Sequence, residues 1–360
     1  MAAVPQAPGG LEIRQPRLHL LSEPEGPLPF DLWRPELGLQ LPTLLDHAAL
    51  SWRHPRQRAL SRVAAAAVSG FRSCLDARGF VEIQTPKLVA SATEGGANVF
   101  AVDYFGRPAF LAQSPQFYKQ TMVGVHERVY ETVPVFRAEP HDTSRHLAEY
   151  LSLDAEMGFI ADHREVMACL RDVMAAVFGA VAEQVPASVA LLGLRIPEVP
   201  PEIPSIHFQE AQALIEGGTG ERVQGEPDLA PDHERFLGEW ALRQWQSELL
   251  FVVGYPMAKR PFYTYPDPER PGFSKSFDLL FRGLELATGG QRLHLYKDYL
   301  RALGGQDLAP YQGYLQAFRY GMPPHGGFAI GLERLVARLA GLPNVRQATL
   351  FPRDPNRLDP

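Results

Sequence analysis

RVYETVPVFRAEPHDTSRHLAEYLSLDAEMGFI, residues 128–160, is the stretch on which the fold turns. RVYETVPVFRAEP reads as a strand and LAEYLSLDAEMGFI as another, and the loop HDTSRH makes the two antiparallel if it is a hairpin-like connection. Within it, Val135-Phe136-Arg137-Ala138-Glu139 sets Arg137 and Glu139 two apart on one strand face, with Phe136 and Ala138 on the other. A guanidinium and a carboxylate held this way can face one ligand. A solvated strand with a same-face ion pair would present the same five residues.

Working outward, RQRALSRVAAAAVSGFRSCLDARG predicts an alanine-rich helix closed by Gly79 at the C′ position. FVEIQTPKLV alternates as a strand, with Pro86 marking a bend or a sheet edge, and YFGRPAFLAQSPQFYKQTMVGV predicts a strand, a turn and a helix. Downstream, EVMACLRDVMAAVFGAVAEQV carries apolar residues at helical spacing. Residues 186–245 mix proline-rich connections with short helices. LLFVVGYP, KSFDLLFRGLELATGG and GGFAIGLE are three more strand candidates around a helical segment near 295–320. Strands in meander-like succession with helices outside predict an α+β fold on a mainly antiparallel sheet. Residues 1–50 are rich in proline and leucine, with a strand-like LEIRQPRLHLL and an extended linker, EPEGPLPFDLWRPELGLQLP.

Composition bounds the rest. With 45% hydrophobic and 21% charged residues, the 360-residue chain can bury a substantial core. A formal charge of −6 supplies no global field for nucleic acid, so any such contact needs a local basic face. No basic-then-apolar leader and no apolar run of about 18 residues is seen, so the expectation is a cytoplasmic protein with no membrane contact. Cys74 and Cys169 have no neighbours at metal-ligand spacing and read as small buried hydrophobes. Only five of the 35 basic residues are lysines, so a lysine in a pocket-like setting stands out.

No GxxxxGK[ST] and no GxGxxG between strand and helix is present, so phosphate handling falls to arginines. Asp278 and Glu285 lie on SFDLLFRGLELATGGQRLH with Thr288, and two carboxylates with a hydroxyl can hold Mg²⁺ against a polyphosphate. A half-exposed strand with outward charges would look much the same. The joint occurrence, in order, of TPKLVASATEGG, QSPQFYKQ, FRAEPHDTSRH and GLER is far more specific. Together these resemble the catalytic core of class II aminoacyl-tRNA synthetases: GFVEIQTPKL is similar to motif 1, VFRAE with RHLAEY to motif 2, and GGFAIGLERL to motif 3. SATEGG, EYLSLDAEMGFI, PFYTYPDP, GGQRLH, YGMPPHGGFAIGLER and LFPRDPNRLDP narrow the resemblance to archaeal-type, often non-discriminating, aspartyl-tRNA synthetases over roughly residues 55–360.

The resemblance implies a six- to seven-stranded sheet flanked by helices, ATP and L-aspartate as substrates, and tRNA as acceptor. Arg334 would lie against the adenine near the γ-phosphate, with the preceding glycines letting the strand pass under ATP. Arg137 would hold the α-phosphate and the aspartate α-carboxylate, Glu139 the adenine amino group, His146 the outer phosphates, and Tyr150 could stack on the base. Asp278, Glu285 and Thr288 would face Mg²⁺; Arg137, Arg334 and Glu285 form the catalytic set. Arg292 would fork onto the β-carboxylate, with Lys119 adding a charge that separates aspartate from asparagine enzymes. Glu94, Ser114 and Gln116 would bind the α-ammonium, Glu94 from a mobile EGG loop.

Three departures qualify that expectation. Only APGGLEIRQPRLHLL resembles the exit of the family's N-terminal five-stranded anticodon barrel, so residues 1–50 read as its remnant and linker. Residues 51–360 then read as the catalytic domain, with 186–245 a family-variable insertion, and tRNA contact falls to the acceptor end with anticodon contact doubtful. Ala148 replaces the asparagine of RHLNEY, and ITSGGQR reads Leu286-Ala287-Thr288-Gly289-Gly290-Gln291-Arg292, which keeps a hydroxyl at Thr288 but adds a methyl beside the expected metal. Two alternatives stay open, an ammonia-dependent asparagine synthetase without the barrel and a non-catalytic regulatory protein. Motif 1 implies a homodimer with residues around 60–90 at its interface.

Overall fold

The computed structural model describes residues 1–4, 10–90, 98–140 and 143–359, in two units, Met1–Gly38 and Leu39–Pro360. In the first, β1 (Ala2–Ala3) pairs antiparallel with β2 (Leu11–Glu12). The strand expected over LEIRQPRLHLL therefore stops at Glu12. Beyond it Pro16 has no N–H to donate to a ladder, and Leu18, Leu20 and Leu21 lie exposed.

In the second unit, α1 (Leu41–Asp46) and α2 (Ala48–Ser51) lead into α3 (Pro55–Asp76). Pro55 occupies the first helical position and the His54 ring accepts the Arg56 N–H, so two usual start signals coincide. The helix ends at Ala77, and Gly79 takes its φ of 75° two residues later, one position beyond the expected C′. The chain continues through β3 (Val81–Glu82), β4 (Leu88–Val89), β5 (Ala101–Tyr104), β6 (Arg107–Leu111), α4 (Gln116–His126), β7 (Arg128–Phe136) and β8 (Glu149–Gly158). There follow α5 (His163–Gln184), α6 (Pro186–Leu192), β9 (Ser205–His207), α7 (Phe208–Thr219), α8 (Pro231–Trp245) and β10 (Leu249–Val253). The last elements are β11 (Ser276–Phe281), β12 (Leu284–Gln291), α9 (Tyr296–Leu303), α10 (Gln312–Arg319), β13 (His325–Gly331) and α11 (Leu332–Leu339).

The main sheet has eight strands in the order β3-β7-β8-β13-β12-β11-β10-β9. Six form the expected antiparallel body; β3 and β9 pair in parallel at its two edges and raise the count above six or seven. β4, β6 and β5 make a second, three-stranded sheet. The hairpin expected from residues 128–160 is present, with β7 and β8 antiparallel from Arg128↔Met157 to Phe136↔Glu149. KSFDLLFRGLELATGG, expected as one strand, is two: Arg282 and Gly283 both have positive φ, 49° and 70°, and turn β11 back on β12.

Alternation gives the sheet two different faces. Leu153 and Ala155 of β8, Phe277, Leu279 and Phe281 of β11, and Phe328 and Ile330 of β13 join the core under α3 and α5. The helices supply Leu60, Val63, Ala67, Phe71 and Leu75, then Val166, Leu170, Val173 and Val177, both at helical spacing. Phe71 meets Tyr130 of β7 edge-on at 5.6 Å, a contact of about 0.5–1.5 kcal/mol beyond burial. Cys74 and Cys169 are free thiols in this core; burial pushes Cys169 up to about 11.

The other face carries Ser152, Asp154 and Glu156 on β8 and Asp278 on β11, all buried. One end of it is covered by a second core, where α7 and α8 lay Phe208, Ile215 and Leu237 against Leu250, Val252 and Leu280. A third, aromatic core around Tyr263, Tyr299, Tyr314 and Phe318 covers the other. Polar strand positions remain between these covers, and the site lies there. Among the described residues, no single helix is long and apolar enough to cross a membrane.

Candidate active site

β7 ends at Phe136, so Arg137 and Glu139 lie just past the strand end rather than on it. Backbone bonds still hold the segment: Arg137 N–H donates to Ala148 and Ala138 N–H to Asn98. Arg137 and Glu139 line a cavity with His146, Tyr150, Glu285, Thr288 and Arg334, so seven expected residues from four stretches of chain meet there. The Arg137 guanidinium sits over the Tyr150 ring, 5.6 Å from its centroid. His146 Nε2 lies 3.3 Å from Glu139, and Thr143 is 2.6 Å from its other nitrogen. Burial, with Arg334, Arg145 and Arg137, lowers its pKa against the pull of Glu139.

Arg334 stands one turn into α11, directly after β13, and donates to the Glu285 carbonyl at 3.2 Å and to its carboxylate at 3.4 Å. Of the glycines before it, Gly331 lines the cavity, whereas Gly327 is held against a neighbouring strand. A Cβ at Gly327 would come within 2.2 Å of both the Ala155 carbonyl and a Glu156 carboxylate oxygen, so that residue can only be glycine.

That carboxylate organises a second, deeper cluster. Glu156 is fully buried and receives Arg292 Nε at 3.0 Å, Lys119 at 3.4 Å and the Gln116 amide at 3.4 Å. Lys119 also bonds Asp154 at 2.8 Å, and Asp154 takes the Ser152 hydroxyl. Burial alone would raise the Glu156 carboxyl, but Arg292 and then Lys119 outweigh it and hold it below the usual carboxylate range. Ser114 accepts the Gln116 N–H at 3.3 Å, fixing the start of α4 and hence the line of Gln116 and Lys119. Glu94 lies outside the described residues.

Asp278 and Glu285 are brought together, though Asp278 lies behind the cavity wall rather than on it. Asp278 is the cross-strand partner of Thr288, whose hydroxyl is 3.4 Å from the Glu285 carboxylate. One Asp278 oxygen takes Arg260 at 3.1 Å; the other is buried without a hydrogen-bond partner. Burial raises the Asp278 carboxyl, opposed by Arg260 and reinforced by Glu285. Burial acts on Glu285 in the same direction but is outweighed by Arg334, Arg260, Arg137 and Arg145, which lower it. The Glu285 carboxylate and Thr288 hydroxyl on the cavity wall, with the Asp278 carboxylate behind them, are oxygen donors of the kind that suits a hard divalent cation.

The model for class II tRNA synthetases (D, K and N) matches residues 40–355. The aspartate–tRNA(Asp/Asn) ligase of Thermus thermophilus is 49% identical, the match covering 99% of this chain and 84% of that protein. The Aeropyrum pernix enzyme of the same name is 44% identical, with 98% and 80% covered. Among solved structures, asparaginyl-tRNA synthetase from Pyrococcus horikoshii complexed with asparaginyl-adenylate superposes with a TM-score of 0.90 at 32% identity, covering 99% of this chain and 82% of that one. The chain belongs to the class II tRNA synthetases.

Several residues of this synthetase's site escaped the sequence reading. Asp154 and Glu156 sit two apart on β8, facing inward; that period-2 pair of acids was the available signal. Glu234 of α8 binds Arg145 at 2.8 Å and accepts the Glu285 N–H at 2.8 Å, tying residues 186–245 to the site. Nothing in its local sequence marks it. Arg260, over the Tyr255 ring at 4.1 Å, was equally silent. A roomier cleft of about 510 Å³, which includes His163, His207 and Arg270, contains none of the expected residues, so size alone would have misdirected the search.

Glu156→Gln is expected to destabilise the synthetase by roughly 3–5 kcal/mol near neutral pH, because Arg292 loses its buried countercharge. Its folded carboxyl is lowered, so its stabilisation is present above the unfolded value of about 4.3 and lost as pH falls through the folded value. Urea titrations of both proteins between neutral pH and pH 3 check this: the gap should narrow on acidification, and a constant gap contradicts the pairing.

Proposed function

We propose that the synthetase activates L-aspartate with ATP to aspartyl-adenylate and transfers the aspartyl group to the acceptor end of tRNA. The observation that carries this reading is the buried pair Lys119 and Arg292, converged on Glu156 beside the Arg137–Arg334 cavity. Glu156 and Asp154 hold the two cations in place before a ligand arrives, and their remaining N–H donors suit a side-chain carboxylate, which accepts at both oxygens, where the asparagine amide would present N–H donors of its own. That the curated relatives bear an aspartate ligase name supports the same reading.

In this assignment Arg292 and Lys119 take the β-carboxylate, and Ser114, Gln116 and Glu94 the α-ammonium. Arg137 takes the α-carboxylate and the α-phosphate together, bringing the carboxylate oxygen in line with phosphorus. Attack forms the mixed anhydride and expels pyrophosphate; no protein nucleophile takes part. Arg334 and Arg137 stabilise the charge that builds on the phosphate oxygens. Glu139 reads the adenine amino group, Tyr150 packs on the base, and His146 meets the outer phosphates. Both Glu139 and His146 must then leave the 3.3 Å contact they make with each other. Asp278, Glu285 and Thr288 would hold Mg²⁺, which supplies further charge neutralisation on the phosphates when bound. A terminal tRNA hydroxyl then attacks the anhydride carbonyl and releases AMP.

Catalysis is assigned to residues 51–360 and the linker role to residues 1–50, with 186–245 a variable segment; anticodon reading is assigned to none of these residues. A homodimer through residues 60–90 is part of the proposal, and Val81 and Leu88, 40% and 49% exposed, offer apolar surface there. Sedimentation at micromolar concentration should show a dimer; a monomer removes it.

Product analysis tests the reaction. Protein with ATP, Mg²⁺ and labelled aspartate should place label on tRNA in one tube and yield no free asparagine from ammonium in another. Free asparagine with AMP would assign the chain to the amidating reaction, and no product in either tube would leave a regulatory protein.

A further inference from the structure

Beside the adenylate cavity lies a smaller cleft of about 170 Å³ that shares Arg145 and Arg334 with it and is closed by Arg235 of α8 and Arg338 of α11. Four guanidinium groups line it, and no carboxylate stands on its wall. Three have carboxylate partners that approach from outside it: Glu234 for Arg145, Asp232 for Arg235 and Glu285 for Arg334. Arg338 has none among the described residues and donates only to the Arg282 carbonyl. Arg334 and Arg338 are also four apart on one short helix, where like charges repel.

Two of the arginines that line this cleft also have an Nε buried without an acceptor, Arg145 and Arg338. Buried N–H groups are paired in the great majority of native sites, so two together beside an uncompensated cation point to a missing acceptor with several oxygens. Burial depresses the Arg338 pKa, and Arg282, Arg145 and Arg235 depress it further against the pull of Glu234; an anion would relieve that mutual repulsion. The cleft has no aromatic side chain on which a nucleobase could stack, which disfavours a polynucleotide strand. Its size and donor geometry suit a compact phosphate anion, since guanidinium forks match phosphate oxygens.

We infer that this cleft is a diphosphate subsite that receives the pyrophosphate expelled by adenylate formation and passes it outward from Arg334 and Arg145 to Arg338 and Arg235. The inference rests on the activation reaction proposed above, because that reaction generates the anion at Arg334. Leaving by this route, pyrophosphate exchanges one set of guanidinium partners for another instead of shedding all of them at once. Slow release would leave it poised to reverse the reaction, so the subsite sets how strongly the product inhibits.

The test is calorimetric titration of inorganic pyrophosphate with Mg²⁺ into the full chain, its adenylate cavity filled by a non-hydrolysable aspartyl-adenylate analogue. Wild type is expected to bind, and Arg338→Gln and Arg235→Ala each to weaken pyrophosphate roughly tenfold, the loss of one charged donor group, without weakening the analogue. Arg235 is exposed on α8, so its replacement leaves the fold intact even where that of Arg338 does not. Unchanged pyrophosphate affinity in Arg235→Ala and in folded Arg338→Gln overturns the inference, as does weakened tRNA binding with pyrophosphate unaffected, which would give the arginines to nucleic acid. Calorimetry reads binding without turnover, so its failure is distinct from a failure of aspartate activation, which the labelled-product assay reads.

Discussion

A carboxylate with no exposed surface, Glu156, holds Arg292 and Lys119 at the floor of the site, and much of the structure follows from keeping it there. An uncompensated buried charge costs several kcal/mol, so each partner needs its own support. Lys119 is shared with Asp154, Arg292 also donates to the Gly327 carbonyl, and the Gln116 amide completes the shell. β13 can approach this carboxylate only because Gly327 has no side chain. Behind it, His325 is buried and lowered to about 4 by desolvation, so it adds no third cation. Gln120, Tyr299 and Tyr314 surround it in a hydrogen-bonded chain that ends on the Leu293 carbonyl, next to Arg292.

The sheet turns this local arrangement into a site. Its apolar positions face α3 and α5, so its polar positions share the opposite face, and the two smaller cores cover that face at its ends. The uncovered middle brings residues from β8, β12 and the β13–α11 junction within reach of one small ligand. α8, from the stretch least readable in sequence, closes one side through Glu234, which orients both Arg145 and the Glu285 backbone. Helix α4 thus carries Gln116 and Lys119 to the buried Glu156, while strand β12, the end of β7 and the start of α11 bring Glu285, Thr288, Arg137 and Arg334 to the cavity.

What was legible in sequence was what depends on local pattern. The β7–β8 hairpin followed from two alternating runs and a short polar loop, and α3 and α5 from helical spacing. The resemblance brought together residues that no periodicity could, and seven of them meet in one cavity. Errors came where tertiary partners overrule local preference. Arg282 adopts a left-handed conformation that favours glycine or asparagine, so the turn between β11 and β12 carried a weak signal; Arg282 is held there by Glu248 and by carbonyls of α11 and Arg195. Arg137 leaves the strand because its neighbour Ala138 bonds Asn98 instead of continuing the ladder. Asp154, Glu156, Glu234 and Arg260 act through partners up to 136 residues away, a relation that short-range spacing does not encode.

Because a solved asparaginyl enzyme superposes on this chain at a TM-score of 0.90, the fold does not choose between aspartate and asparagine; in the proposed reaction that choice falls to Lys119 and Arg292. The decisive measurement is ATP–pyrophosphate exchange supported by aspartate and by asparagine, compared as kcat/KM. The account predicts a preference for aspartate of about 10⁴, the range reached when a site's buried polar groups would be left unpaired by the wrong substrate. Equal exchange with asparagine would contradict it.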